Sequence, residues 1–226
     1  MPDKPSSSPF VRFLYENSLS LTITGLTLIT IVGQALTGYR VHLDELEQWK
    51  LPAISFGQYL GSGHFIEALF ENWESEFLQM GLYVVLTIKL RQKGSSESKK
   101  LYEKEEVDRE PQAKKDSPWP VKQGGFILKV YENSLSLAFF LLFLGSFYLH
   151  ALGGMEIYNM EQQDQGKETV DLLGYMGTSQ FWFESFQNWQ SEFLSIVSIV
   201  VLSIFLRQKG SPESKPVDVP NSETED

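Results

Sequence analysis

The chain has 226 residues, a formal net charge of -10 and no cysteine. The absence of cysteine from the sequence excludes disulfide bonds and thiolate metal sites. The mean hydropathy of -0.17 would suit a soluble protein. The charged residues, however, are clustered at the two ends, in the centre and in two loops, so this average conceals strongly apolar stretches.

The first and third elements of the sequence are predicted to be membrane-spanning helices. Residues 17–39 and 133–155 carry no charged side chain. A hydrocarbon core of about 30 Å needs about 20 helical residues, and a charge-free apolar run of this length is the usual signal of a transmembrane helix. We expect spans at about 18–39 and 134–154. A soluble protein with buried helices is the alternative, but residues 137–149 are apolar all round, which argues against it.

The second and fourth elements have shorter charge-free cores, of fewer than 15 residues. Each core follows an aromatic-rich, helix-compatible sequence with a candidate N-cap, Ser62 or Thr178. The extended helices would be about 42 Å long, so their first turns would project into the interface or tilt. We expect spans at about 68–90 and 184–206.

Three sequence blocks recur at a constant offset of 116 residues, which indicates an internal duplication. The recurring pairs are YENSLSL at 15–21 and 131–137, NW(E/Q)SEFL at 72–78 and 188–194, and LRQKGS(S/P)ESK at 90–99 and 206–215. Each unit holds two spans, an even number, so both copies enter the membrane in the same direction. The predicted fold class is therefore all-α, with four transmembrane helices as two parallel repeats related by a pseudo-two-fold axis along the membrane normal.

The three recurring blocks resemble those of an uncharacterised family of bacterial multi-pass membrane proteins, known only as a domain of unknown function. The resemblance covers both units, from 15 to 99 and from 131 to 215. It implies a bacterial inner-membrane protein. It supplies no substrate, cofactor or catalytic residue.

The chain divides into five predicted segments. These are an N-terminal arm (1–12), a first repeat (13–93), a charged linker (94–124), a second repeat (125–209) and a tail (210–226). The linker and the tail contain too few apolar residues to offset the entropy of ordering them, so we expect both to be flexible. Their basic residues are interspersed with acidic ones and lack interleaved aromatics, so no nucleic-acid partner is expected.

The distribution of lysine and arginine predicts the orientation. Sixteen of the nineteen lie within residues 1–12, 89–129 and 207–226, and basic residues in short loops are retained on the cytoplasmic side. We therefore expect both termini in the cytoplasm and both inter-span loops outside. The outer loops are acidic and would concentrate cations, although acidity that serves only solubility is the alternative.

Two glutamates at equivalent positions are predicted to lie at membrane depth. Glu76 and Glu192 each precede by 15 residues the arginine that marks the cytoplasmic end, a rise of about 22 Å. A carboxylate there is expensive and is by default a functional candidate. The same depth estimate pairs Gln34 with Glu76 and His150 with Glu192, and a polar clasp that only fastens helices is the alternative. The intramembrane candidates are Glu76, Glu192, Gln34, His150, Asn72 and Asn188.

At the inner surface, two pairs of opposite charge are expected to fix the register of each helix hairpin. Glu16 would pair with Arg91, and Glu132 with Arg207. Exposed pairs of this kind contribute about 0 to 1 kcal/mol.

Catalytic and metal-binding motifs are absent from the sequence. The histidines show neither His-x-x-x-His nor His-Glu-x-x-His spacing. His64 could bind a metal with Glu67 and Glu71 on one helical face, but the second unit has no equivalent residues. We therefore expect no enzyme, no metal and no cofactor.

The leading hypothesis is an integral inner-membrane protein with a structural or interaction role. The alternative is a channel or transporter for protons or small cations that uses the outer-leaflet glutamates. The expected partners are the lipid bilayer and, as open alternatives, a second copy of the chain, another membrane protein or small cations.

Overall fold

The computed structural model describes residues 8–224, and within that range the chain folds into α-helices with no β-strand. This confirms the all-α class. In chain order the helices are α1 (Pro9–Glu16), α2 (Ser18–Gln48), α3 (Phe56–Tyr59), α4 (Gly63–Lys89), α5 (Trp119–Gln123), α6 (Gly125–Glu132), α7 (Ser134–Asp164), α8 (Leu172–Met176) and α9 (Ser179–Phe205).

The long helices have matching bounds in the two sequence units. Both α2 and α7 contain 31 residues, and both α4 and α9 contain 27. Their first residues are separated by the same 116 positions as the sequence blocks. The predicted N-cap Thr178 is confirmed, since its side chain accepts a hydrogen bond from the backbone N–H of Phe181.

Three helices, α2, α7 and α9, are long and apolar enough to cross a membrane. The fourth long helix, α4, lacks an apolar stretch of the same length with equally few charged residues. It carries four glutamates in its first half: Glu67, Glu71, Glu74 and Glu76. The expected second span is therefore the one whose residues are least like those of a lipid-exposed helix.

Helix α4 lies at the centre of the packing and lies most extensively against α7, then against α9, with a smaller contact to α2. Glycines allow α4 and α7 to approach closely. A methyl group on Gly153 would lie 2.5 Å from the backbone nitrogen of Glu67 and 2.7 Å from the carbonyl oxygen of Gly63. Small residues at such crossings are typical of membrane helix pairs.

The packing departs from the expected pseudo-two-fold arrangement. A two-fold axis that relates the units would require α9 to pack on α2 as α4 packs on α7. Within the described chain, α2 instead packs on α1 and α4 and makes no extensive contact with α9. Both α2 and α9 consequently leave most of their apolar surface uncovered.

Each unit nevertheless has a small core at equivalent positions. The two cores comprise Ala35, Tyr59 and Phe65 in the first unit and Ala151, Tyr175 and Phe181 in the second. In both, a short helix inserts a buried tyrosine opposite a glycine of the long helix. A methyl group on Gly38 or Gly154 would overlap the hydroxyl of Tyr59 or Tyr175, respectively. The glycines therefore fix the position of each tyrosine hydroxyl.

The expected pairs at the inner surface are not formed. Arg91 donates to the carbonyl oxygens of Ile88 and Leu90, and Glu16 accepts a hydrogen bond from Arg12 at 2.7 Å. Arg207 likewise donates to carbonyls at the end of α9. Each arginine thus donates to the last carbonyls of its own helix, which lack partners within the helix.

The segment after α4 and the tail contact each other and α9. The hydroxyls of Ser95 and Ser203 lie 2.9 Å apart, and Ser96 donates to the carbonyl oxygen of Glu213. Lys215 is buried and donates to the carbonyl oxygen of Glu223 at 2.8 Å. Hydrogen bonds between side chains and from side chains to the backbone thus hold parts of the two segments that we expected to be flexible.

Candidate functional site

His150 lies at the centre of a buried polar cluster between α4, α7 and α9. Its imidazole is completely buried, and Nδ1 lies 2.8 Å from Oε2 of Glu74 on α4. Glu74 is also completely buried, and its other oxygen accepts a hydrogen bond of 2.8 Å from Nε1 of Trp189 on α9. One carboxylate of the first unit thus joins two residues of the second.

The other side of the imidazole faces two more carboxylates. His150 Nε2 lies 3.5 Å from Oε2 of Glu184. It has almost no accessible surface and no hydrogen-bond partner among residues 8–224. One ligand atom each from Glu67, His150 and Glu184 lie within 4.8 Å of one another. The ring of Phe181 stacks on the imidazole, with a centroid distance of 5.0 Å, and so helps to fix its orientation.

Glu184 is held by a second set of contacts. Tyr175 donates from its hydroxyl to Oε2 of Glu184 at 2.8 Å, and Gln180 donates to Oε1. Burial raises the pKa of Tyr175, and the charges of Glu67 and Glu184 raise it further, so the phenol keeps its proton and acts as a donor. The space for this hydroxyl exists because residue 154 is glycine.

We call Glu67, Glu71, Glu74, His150 and Glu184 the buried cluster. It combines four carboxyl groups with one imidazole. Glu67, Glu71 and Glu74 share one face of α4 because they are spaced by four and three residues. Ionised carboxylates in an apolar surrounding are costly unless they are neutralised. The buried cluster therefore requires protons or a bound cation to balance its charge.

A second polar group lies where the end of α2 meets the start of α4, at the helix ends that we expect to be external, and we call His42, Glu45 and His64 the outer histidine cluster. Glu45 Oε2 lies 3.3 Å from Nδ1 of His42 and 3.6 Å from Nε2 of His64. The other nitrogen of His64 lies 3.3 Å from the hydroxyl of Tyr59. The residue types suit a metal ion, and their ligand atoms lie within 4.8 Å of one another.

The predicted intramembrane residues are arranged differently from the expected pairs. His150 contacts Glu74 and Glu184 rather than Glu192. Glu76 is exposed and lies beside Glu192, so the two equivalent glutamates meet each other across α4 and α9. Gln34 is half-buried on α2.

The two predicted asparagines have different surroundings. Asn72 is exposed and bonds only to its own helix, at the carbonyl oxygen of Ala68. Asn188 lies against the buried cluster, where its side chain is a hydrogen-bond partner of Glu71 and donates to the backbone of Glu184. The structure thus brings His150 and Asn188 to one site and leaves Asn72 outside it.

Sequence reasoning missed Glu74 and Glu184. Glu74 and Glu76 are two residues apart, a rotation of about 200° on a helix, so they face opposite sides of α4. The signal that could have identified the inner face was the Gly153–Gly154 pair. Paired small residues mark a close helix crossing, and His150 lies one turn before them on the same side of α7.

Comparison with known proteins places the chain in one family. No curated protein and no solved structure matches it. A family model described as a domain of unknown function (DUF6766) matches residues 10–226. Because this match covers nearly the whole sequence, the chain belongs to that family of unknown function.

Proposed function

We propose that the protein is a four-span bacterial inner-membrane protein that takes up protons or small cations in the buried cluster and passes them across part of the bilayer. The observation that carries this proposal is a cluster of four glutamates around the buried His150 between α4, α7 and α9, in which Glu74 is buried and Glu67, Glu71 and Glu184 are partly buried. The two units would be parallel, with both termini in the cytoplasm.

The position of α4 supports its assignment as the fourth span. It packs against both α7 and α9, and three of its four glutamates belong to the buried cluster rather than to the outer surface of the helix. A helix that is screened by its neighbours can carry ionisable residues through a membrane when these residues face the bundle interior. The distribution of basic residues supports the orientation, because sixteen of the nineteen lie outside the proposed external loops.

The depth of the buried cluster supports a role inside the membrane. His150 lies 16 residues beyond Ser134, the first residue of α7. The corresponding rise is about 24 Å, which is in the outer half of the bilayer if α7 begins at the cytoplasmic surface. The acidic outer loops would raise the cation concentration near this end.

The internal duplication provides a comparison that favours cation uptake over simple fastening. The residues equivalent to His150 and Glu74 are Gln34 and Gln190, both neutral amides. Amide side chains are sufficient to hydrogen-bond two membrane helices. An ionisable pair in the same position, with three further glutamates beside it, adds a capacity to exchange protons or bind cations that fastening does not need.

Fastening of the two units is the second candidate function, and the double contact of Glu74 favours it. This carboxylate bonds to His150 and to Trp189 at the same time and so links α4 to both α7 and α9. A protein with only a structural or interaction role would need this link but would move no ions.

Purified protein in liposomes separates the two functions. We expect wild type to dissipate an imposed pH or cation gradient, and Glu184→Gln to slow the decay at least tenfold while the protein remains folded by size-exclusion chromatography. Ser195→Ala, an exposed position on the same helix outside the buried cluster, is the matched control and should retain wild-type decay. Wild-type vesicles that hold every gradient at all tested pH values and potentials would exclude transport and leave fastening.

A further inference from the structure

We propose that the cation held by the buried cluster is a divalent transition-metal ion, bound by Nε2 of His150 and by the carboxylates of Glu67 and Glu184. This inference rests on the proposed function only for the location of the cation, and it concerns equilibrium binding rather than transport. The ions that fit are those of the zinc, iron(II) and manganese class.

The nitrogen of His150 that makes no hydrogen bond is the first support. Nε2 is completely buried and makes no hydrogen bond within residues 8–224, although two carboxylates lie beside it. A buried polar atom without a partner costs about 1 to 3 kcal/mol. A metal ion between Nε2 and the two carboxylates would satisfy all three groups.

The opposite nitrogen is arranged as metal-binding histidines require. A ligating histidine usually donates its other N–H to a carboxylate, which fixes the tautomer and the direction of the ring. Here Nδ1 lies 2.8 Å from Glu74, and Glu74 is itself anchored by Trp189. Tyr175 holds Glu184 in the same way from the other side.

Spacing and charge both suit a divalent ion. Ligands at about 2.0 to 2.2 Å from a metal lie roughly 3 to 4 Å from one another, and the three ligand atoms already lie within 4.8 Å. Two carboxylates balance two positive charges, so Glu67 and Glu184 with the ion would be neutral. The imidazole favours zinc or iron(II), and the two carboxylates also suit manganese, whereas magnesium and calcium are bound mainly by oxygen ligands.

The outer histidine cluster is the competing metal site, and its contacts favour it less. Nδ1 of His64 is occupied by the hydroxyl of Tyr59, and Nδ1 of His42 is bonded to Glu45. No nitrogen of this cluster is among the buried polar atoms of residues 8–224 that lack a partner. It therefore serves as the internal control.

Calorimetric titration of the full-length protein in detergent with zinc chloride tests the proposal. We expect one zinc ion per chain. His150→Gln should weaken binding at least 100-fold, because it removes a ligand, and Glu74→Gln should weaken it about 10- to 100-fold, because it removes only the orienting carboxylate. The double variant His42→Gln/His64→Gln should bind as wild type does. Cobalt(II) should give a visible absorption band in wild type that His150→Gln abolishes.

The outcomes separate this proposal from the proposed function. Folded wild type that binds no zinc, or zinc binding that survives His150→Gln and disappears in the double variant, would overturn the metal site. Proton flux in liposomes without zinc binding would leave the proposed function intact and overturn only the metal. Zinc binding without any flux would support the site and overturn transport.

We also infer, from a separate observation, that α2 and α9 of one copy pack against α9 and α2 of a second copy. The packing of α4 on α7 joins the second helix of one unit to the first helix of the other. The equivalent surfaces on α9 and α2 make no extensive contact within residues 8–224. A second copy can cover the uncovered surfaces of both α2 and α9. The interface would then resemble the one that α4 forms with α7 inside one chain.

The residues on the uncovered surfaces match that interface. Where α4 and α7 have Gly63 and Gly153, α9 and α2 have the small residues Ser179 and Thr37, both exposed. Where the internal interface pairs Glu74 with His150, the outer surfaces carry Gln190, which is exposed, and Gln34, which is half-buried. Amides at membrane depth associate by hydrogen bonding to each other, whereas lipid offers them no partner.

The natural absence of cysteine allows a direct test by disulfide cross-linking. Oxidation of Thr37→Cys/Ser179→Cys in membranes should give a covalent dimer on a non-reducing gel, because close approach of the two positions is what a disulfide requires. Leu36→Cys/Ser179→Cys is the matched control, since residue 36 faces about 100° away on the helix. A cross-link within one chain, equal dimer from the control pair, or no cross-link would overturn the inference.

Discussion

The two tyrosine-centred regions of the molecule share a scaffold but differ in chemistry. Tyr59 and Tyr175 occupy equivalent positions, and each is buried against a glycine of the preceding long helix. The hydroxyl of Tyr59 meets an imidazole, that of His64, at 3.3 Å. The hydroxyl of Tyr175 meets a carboxylate, that of Glu184, at 2.8 Å.

The difference arises because only the second region is covered by the other unit. Glu67 and Glu74 come from α4 of the first unit and approach His150 and Glu184 of the second. Among residues 8–224, no long helix of the second unit covers the first region in the same way. The buried cluster is therefore a property of the two units together. Neither unit contains it alone.

Among the variants that test this difference between the two regions, Glu74→Ala is expected to lower the stability of the protein most. The change leaves His150 Nδ1 and Trp189 Nε1 buried without partners. Loss of one member of a buried charged pair destabilises by about 3 to 5 kcal/mol. We expect a clear fall in the midpoint of thermal unfolding in detergent.

Gln190→Ala is the control at the equivalent position of the second unit. Gln190 is exposed, so in the detergent-solubilised single chain the change should shift stability by less than about 0.5 kcal/mol. Equal destabilisation by Glu74→Ala and Gln190→Ala would mean that position 74 makes no stronger contacts than position 190. It would contradict the assigned difference between the two regions.

Helix positions were accessible from the sequence because they depend on local rules. The charge-free runs and the candidate cap at Thr178 predicted a long helix in the region where α9 begins at Ser179. The internal repeat likewise anticipated the matching lengths of the helices. These features depend on the order of residues along one helix, which a single sequence records directly.

The partner of His150 was not accessible in the same way. Counting residues from the membrane surface estimates only the depth of a residue in the bilayer. Glu192 has the depth expected for a partner of His150, and it was chosen for that reason. The actual partner depends on which helix lies beside α7 and on how α4 is rotated about its axis. Glu74 faces inward and Glu76 outward although they lie only two residues apart. Choosing between them requires the close contact at Gly153, which is a tertiary feature.

Gly153→Ala tests whether that close contact is what forms the buried cluster. The added methyl group would press on the backbone of Glu67 and Gly63, and backbone atoms cannot move aside as flexible side chains do. Overpacking of this kind costs about 1 to 3 kcal/mol. On the same helix, Gly145→Ala meets no atom within 4 Å and should be neutral or stabilise by up to about 1 kcal/mol. Thermal unfolding of both variants in one detergent compares them directly, and equal effects would contradict the assigned helix crossing.

The smallest expected effect is the difference in stability between the two tyrosine-to-phenylalanine variants. Tyr175→Phe removes a hydrogen bond of 2.8 Å to the Glu184 carboxylate, and hydrogen bonds to charged groups contribute about 1.5 to 3 kcal/mol. Tyr59→Phe removes a longer contact of 3.3 Å to the His64 imidazole, for which about 0.5 to 1 kcal/mol is expected. Both rings stay buried, so the packing term cancels when the two variants are compared by chemical denaturation. A larger loss for Tyr59→Phe would reverse the assignment of the stronger polar centre from the second unit to the first.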